Sequence, residues 1–405
     1  MEAAAEGRRQ VREVREGLTA PVGMHAARRC SKIEHVPPVD GDAIGRRIAD
    51  ARTRAQLTQA DLARAVGLDR STLAKIETGA RPVRALELAR IAEQTDESFE
   101  WFVTDPPPAV ISYRSGIGAS TTSSIDRLLE QVARDVALVQ SLGHLEVATL
   151  EPSERPEDLA QAGCLAAQAR SRLSLARTGP VTDLVSPMAE IGLFVFSEDL
   201  GADAPDAATT LLGNGGVSVI NSGRAVGRRR LALAHEFGHY LLADAYTVDW
   251  RVGVWDGAQH TERLIDAFAR ALLLPTESLR QRWSALVASR SVREAAVLIA
   301  SEYRVDMSTL AARLSDLGLA SADELAQVRA ARTTQADIIE HDLLVAYDLA
   351  DTTLPRRYEK AVLALYRAER ISPDRAIDLL RGTVDEDALP ALPLAIEHEL
   401  WKVTS

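Results

Sequence analysis

Between residues 43 and 103 apolar side chains return every three or four positions, at Ile44, Ile48 and Ala51 and again at Leu57, Leu62 and Val66. That is the period of helices with one buried face. The breaks are marked as clearly as the helices. Thr58 is followed three residues later by Asp61, a cap-like pair. Gly67 ends the helix they open, Asp69 is placed to cap the next, and Gly79 with Pro82 closes that one. The stretch TDPPPAVISYRSGIGASTTSS (104–124) has no period and reads as a linker, with ISYR able to form a short strand. A helical period resumes at Ile125 in IDRLLEQVARDVALVQSLG. IGLFVFSEDL (191–200) is a short, nearly unbroken apolar run, expected as a buried strand, and GGVSVINSG (215–223) is a strand running into a turn. LALAHEFGHYLLAD (231–244) follows as a helix, and nearly everything beyond 260 is helical. No internal repeat or low-complexity tract interrupts the pattern. The expected class is α+β, mostly helical, with an all-α N-terminal domain and a small sheet in the second.

Length changes this picture by dividing it, because 405 residues exceed one ordinary domain. The expected division is a loose, arginine-bearing leader at 1–40 (within which Met24 is an alternative start), a helical domain at 41–104, a linker at 105–124, a second domain at 125–318 and a helical C-terminal region at 319–405. A hydrophobic content of 46% and a charged content of 26% are globular values. Cys30 and Cys164 are too few for a disulfide framework or a cysteine zinc site, which fits a reducing cytoplasm. No apolar run reaches the length of a membrane span, and the first residues lack a signal-peptide core, so a cytoplasmic chain with no membrane partner is expected.

The net charge of −11 is unevenly spread. Residues 1–40 hold seven basic and six acidic side chains, and residues 41–104 balance ten against ten, so the acidity lies beyond them. Nucleic-acid binding therefore belongs to the N-terminal quarter. There, two helices joined by a glycine turn form a helix-turn-helix whose second member can enter a major groove. Its outward residues are Arg70, Ser71, Thr72 and Lys75. The stretch LTQADLARAVGLDRSTLAKIETGARP resembles the Xre/Cro-type helix-turn-helix family. The resemblance implies a double-stranded DNA operator bound by a homodimer. It places Thr58 and Gln59 against phosphate at a helix N-terminus, and Arg70, Ser71, Thr72 and Lys75 against base edges or phosphates. The competing reading is a small bundle for protein contact or dimerisation.

His235 and His239, four apart, leave one face of a helix together, and an H-E-x-x-H pair of this kind can hold zinc while Glu236 serves as general base. The metzincin continuation is absent, since Leu242 and Ala245 occupy its glycine and third-histidine positions. A second helix, TERLIDAFARALLLP (261–275), offers Glu262 as third ligand and, four residues on, Asp266 to accept a hydrogen bond from a ligand histidine. NSGRAVGRRRLALAHEFGHYLL with ERLIDAFARALLLP resembles the ImmA/IrrE metallopeptidase family, members of which often carry a fused Xre-type domain. The likeness runs from about 125 to 318 and includes VREAAVLIASEYRVDMSTLAARLSDLG. Leu264 stands where a second glutamate is common. The resemblance implies a zincin-like α+β domain with one Zn2+ per chain on His235, His239 and Glu262.

His260, Tyr246 and Arg251 are open alternatives for the group that stabilises a transition state. A surface histidine is the plainer reading of His260. His144, His341 and His398 are isolated, and the tail after 318 shows no chemistry, only packing or partner recognition. The expected protein is a DNA-binding transcriptional regulator with a zinc endopeptidase domain that cleaves one protein target, such as a repressor. GGVSVINSG would pair with the extended substrate. Three alternatives stand beside it: a metal-free remnant of the fold, a non-catalytic transcription factor that senses a ligand or metal, and an antitoxin with a toxin partner.

Overall fold

The computed structural model describes residues 41–392 apart from 96, 98, 104–110, 114–123, 148 and 244–255. The leader with Met24 and Cys30, most of the expected linker, Tyr246, Arg251 and His398 lie outside the described residues.

Five helices form the N-terminal part: α1 (Gly41–Arg54), α2 (Gln59–Val66), α3 (Arg70–Glu77), α4 (Ala85–Thr95) and α5 (Phe99–Val103). Ile48, Leu62, Leu73, Ile91 and Phe102 make their core. Of the periodic residues seen in the sequence, Ile48, Ala51, Leu62 and Val66 are buried, and Ile44 and Leu57 pack half-buried against them. Thr58 and Asp61 form a full capping box. Gly67 ends α2 at φ 74, a left-handed conformation that glycine adopts without a Cβ penalty. Asp69 departs from expectation. It occupies the N-cap position of α3, but its side chain makes no cap hydrogen bond and stays exposed.

The rest is built on a mixed sheet of β1 (Ile111–Tyr113), β2 (Leu193–Glu198), β3 (Ala207–Leu211) and β4 (Gly216–Asn221), in the order β1-β3-β4-β2. β2 runs parallel to β4, with Leu193 opposite Gly216, while β3 is antiparallel to both β4 and β1. Side chains of β2 alternate between two cores, Leu193 and Val195 on one face and Phe194 and Phe196 on the other. Both faces are covered, which is why the strand reads as a continuous apolar run.

The helices of this part are α6 (Ser124–Ser141), α7 (Leu159–Arg172), α8 (Val185–Glu190), α9 (Val226–Leu242), α10 (Asp256–Leu273), α11 (Thr276–Val287), α12 (Val292–Tyr303), α13 (Met307–Asp316), α14 (Ala322–Ala330), α15 (Gln335–Glu340), α16 (Arg356–Arg367) and α17 (Pro373–Leu379). α7 and α9 to α14 share the first core, while α6, α16 and α17 cover the second face around Phe194, Phe196, Val217 and Val219. The C-terminal helices thus complete the sheet. Between α15 and α16 the chain crosses β2, where Ser197 and Thr353 exchange backbone hydrogen bonds of 3.0 and 3.1 Å.

One expectation is corrected here. β4 is hydrogen-bonded on both sides, by β2 and β3, so GGVSVINSG has no open edge with which to pair a substrate. No helix among the described residues is long and apolar enough to cross a membrane.

Candidate metal centre and nucleic-acid interface

α9 is buried almost all round; every residue from Arg229 to Leu242 is inside. A helix with that environment runs through a core, and polar side chains within it need partners. α10 packs along it. The closeness of the pair depends on Gly238, because a Cβ there would lie 2.8 Å from Ile265 Cγ2 and 3.0 Å from Phe268 Cδ1. With no side chain at 238, α10 comes near enough for Glu262 and Asp266 to reach the histidines.

The result is a compact donor set. His235 Nε2 lies 3.2 Å from His239 Nε2 and 3.2 Å from Glu262 Oε2, and His239 Nε2 lies 3.5 Å from Glu262 Oε1. His235, His239 and Glu262 form the one group among the described residues with metal-ligand composition and closeness. Behind it, His235 Nδ1 donates to Asp266 Oδ1 at 2.9 Å, so in the neutral ring Nε2, which faces His239 and Glu262, is the nitrogen left to bind a metal. Glu236, adjacent in the chain, is 0% exposed.

Electrostatics favours a positive charge among these groups. Burial opposes a charged imidazole at His235, but the hydrogen bonds to Asp266 and Glu262 outweigh it and hold the pKa up at about 9. Burial likewise opposes the Glu262 carboxylate, and the two histidines reverse the effect, holding it well below the usual carboxylate range. The set also fits zinc by size. Zinc bonds of about 2 Å in a tetrahedron separate neighbouring ligand atoms by about 3.4 Å, and the three distances here are 3.2, 3.2 and 3.5 Å. Two imidazoles and a carboxylate are a donor set that leaves one position open.

His260, also on α10, is exposed, and its Nε2 is 3.2 Å from the Glu157 carbonyl oxygen. Leu264 is buried against the core, on the side of α10 away from solvent.

In the helix-turn-helix, Arg70, Ser71 and Lys75 are exposed on α3 and Thr72 is half-buried. Thr58 is exposed at the start of α2. Gln59 is placed differently from expectation: its side-chain amide donates to Glu77 Oε2 at 2.7 Å, and Arg52 Nε pairs with the same carboxylate at 2.6 Å. Glu77 is buried and these contacts satisfy its charge, so Gln59 ties α2 to the end of α3.

Fold and geometry together define a helix-turn-helix joined to an α+β body with a His-His-Glu cluster on buried helices. Comparison with known proteins agrees. Residues 48–102 match the family described as helix-turn-helix, and residues 188–315 match the IrrE N-terminal-like domain family. The two matches fall on the helix-turn-helix and on the part with the His-His-Glu cluster, the arrangement of an Xre-type domain fused to an IrrE/ImmA-like one. Among solved structures, the restriction-modification controller protein C.AhdI from Aeromonas hydrophila is 32% identical, over 16% of this chain and 96% of that one, with a TM-score of 0.15. No curated protein matches the chain.

Proposed function

We propose that the chain is a DNA-binding regulator whose α+β body is a zinc-dependent endopeptidase directed at one protein target. The observation that carries the reading is the donor set of His235, His239 and Glu262, three ligand atoms at tetrahedral spacing beside a fully buried glutamate. Zinc, when bound, supplies a Lewis acid that polarises a carbonyl and acidifies water. His235, His239 and Glu262 hold it, and Asp266 fixes the tautomer and the ring of His235 through Nδ1. Glu236 takes the proton from the water that attacks the peptide carbonyl carbon. It then gives that proton to the amide nitrogen as the C–N bond breaks. The core around α9 keeps bulk water from the base.

The other end of the chain supplies the address. In this reading residues 41–104 bind an operator as a dimer, through Arg70, Ser71, Thr72 and Lys75 on α3 and Thr58 at the start of α2. Residues 125–318 hold the peptidase site, and a repressor or antitoxin-like protein is its substrate.

Glu236→Gln tests the catalytic half, since it preserves size and removes the base. Zinc content should stay at one per chain while cleavage of a co-expressed target, followed by gel and mass spectrometry, falls by about 10²- to 10⁴-fold. If Glu236→Gln regulates its genes as wild type does, the body senses or scaffolds instead, as a non-catalytic factor or an antitoxin would. Arg70→Ala and Lys75→Ala test the DNA half. Each should weaken operator binding with the fold intact, on half-sites roughly 10 bp apart.

A further inference from the structure

Two buried arginines, Arg170 and Arg313, line one cavity that includes none of the histidines. Arg170 of α7 donates from Nε, Nη1 and Nη2 to the carbonyl oxygens of Ala176, Leu272 and Gly179, at 2.8, 2.7 and 2.8 Å. Arg313 of α13 donates from Nε to Leu274 O at 3.1 Å and from Nη2 to Thr276 Oγ1 at 2.9 Å. Leu272 and Leu274 are at the C-terminal end of α10, so both cations partly serve to cap that helix. Capping leaves charge over, however. Neither guanidinium forms an ion pair among the described residues. Asp316, the carboxylate that acts on Arg313, is held by Arg270 at 2.8 Å. Arg313 is 5% exposed, and its hydrogen bonds leave from Nε and Nη2. Burial lowers its pKa only to about 10, so it remains a cation at neutral pH.

Both arginines line a cavity of about 640 Å³ between α7, α11 and α13. An exposed third arginine, Arg177, stands on its wall, and the one carboxylate there is Glu277. The N-terminus of α11, a helix of twelve residues, opens into the same space at Thr276 with no side chain capping it. Uncapped first-turn amides and guanidinium N–H groups are anion ligands. The opposite wall is small and apolar, from Gly163, Ala167 and Ala271. The volume is that of a small-molecule site.

We propose that this cavity binds a small organic anion, its carboxylate or phosphate held by Arg313, Arg177 and the start of α11, and its apolar part against α7. The site is independent of the metal centre, and a chain with no peptidase activity would keep it. Calorimetric titration of the full-length protein with inorganic phosphate and, separately, with hexanoate, against chloride at matched ionic strength, tests it. Arg313→Ala removes a cap from α10 and is a poor probe, so two milder variants are used. Arg177→Glu reverses an exposed charge. Gly163→Leu fills the cavity from a position where an added Cβ meets nothing within 4 Å. Saturable binding of at least one anion, weakened roughly tenfold or more in both variants with the circular dichroism unchanged, is expected. Phosphate alone would identify a phosphorylated ligand, hexanoate alone a carboxylate. Saturable binding of neither, or binding unchanged in either variant, overturns the proposal.

Discussion

Gly238 governs the spacing on which the donor set depends, although it is no ligand. Its Cα faces Ile265 and Phe268, one residue before and two residues after Asp266 on the helix that brings Glu262 and Asp266 to the histidines. Gly238→Ala should therefore act twice. Overpacking a full core costs about 1–3 kcal/mol, and displacing α10 spreads the ligand atoms. Expected are a lower melting midpoint and weaker zinc retention during dialysis against a chelator; wild-type zinc retention would show that α10 is held in place by other contacts. Asp266→Ala should weaken zinc about 10- to 100-fold through the freed imidazole, with little change in melting. The sequence showed His235 with His239 and Glu262 with Asp266 as two pairs four residues apart, each on one helix face, but only the fold shows that the two faces meet. Gly238 was not legible, because a glycine inside a helix reads only as weak propensity until the neighbouring helix is known. The hydrogen bond of Gln59 to Glu77 was likewise hidden, because only the fold brings the end of α3 within reach of the start of α2.

At the scale of elements, β2, β4 and α9 were legible from runs and periods, whereas β3 was not. Its sequence, AATTL, is small and half-polar, and it is a strand because β4 and β1 pair with it on either side. The interior place of β4 was equally hidden, since strand order is not written in any one strand. α6 carries a further consequence of burial. Asp135 lies inside the second core with Arg375 Nη2 at 3.1 Å, and burial pushes its carboxyl up to about 6, more than Arg375 pulls it down. A carboxyl whose pKa is higher folded than unfolded stabilises the fold below about pH 4, and that contribution is lost as pH rises through about 6. The loss is on the order of 3 kcal/mol for a shift of this size. Asp135→Asn removes the titration. The difference in unfolding free energy between wild type and Asp135→Asn, from denaturant melts between pH 4 and 7, should move in the variant's favour as pH rises. A difference that is flat with pH would mean that Arg375 fully compensates the charge.

For the molecule as a whole, the segment after 318 decides whether the α+β body is complete. Composition marks it only as helical, and its packing role appears once α16 and α17 are seen on Phe194, Phe196, Val217 and Val219. Its polar anchor is as firm as its apolar one. Arg230, in the helix of the histidines, is 1% exposed, and among the described residues its one ion-pair partner is Asp348 at 2.7 Å, which Arg304 shares at 3.1 Å. Arg229 Nε donates to the Asp348 carbonyl oxygen at 2.9 Å, so three arginines of the body converge on one residue of the segment. Removing one partner of a buried ion pair costs about 3–5 kcal/mol, because the remaining charge stays inside unpaired. Asp348→Ala should therefore lower the melting midpoint strongly, and the chain truncated after residue 318, which loses Asp348 and the cover of the sheet together, should aggregate. The charge explanation is separable from lost packing. Adding Arg230→Met to Asp348→Ala replaces the stranded cation with an apolar chain of similar length, and most of the lost stability should return. If the double variant melts no higher than Asp348→Ala alone, the segment holds the body by apolar cover and the ion pair contributes little.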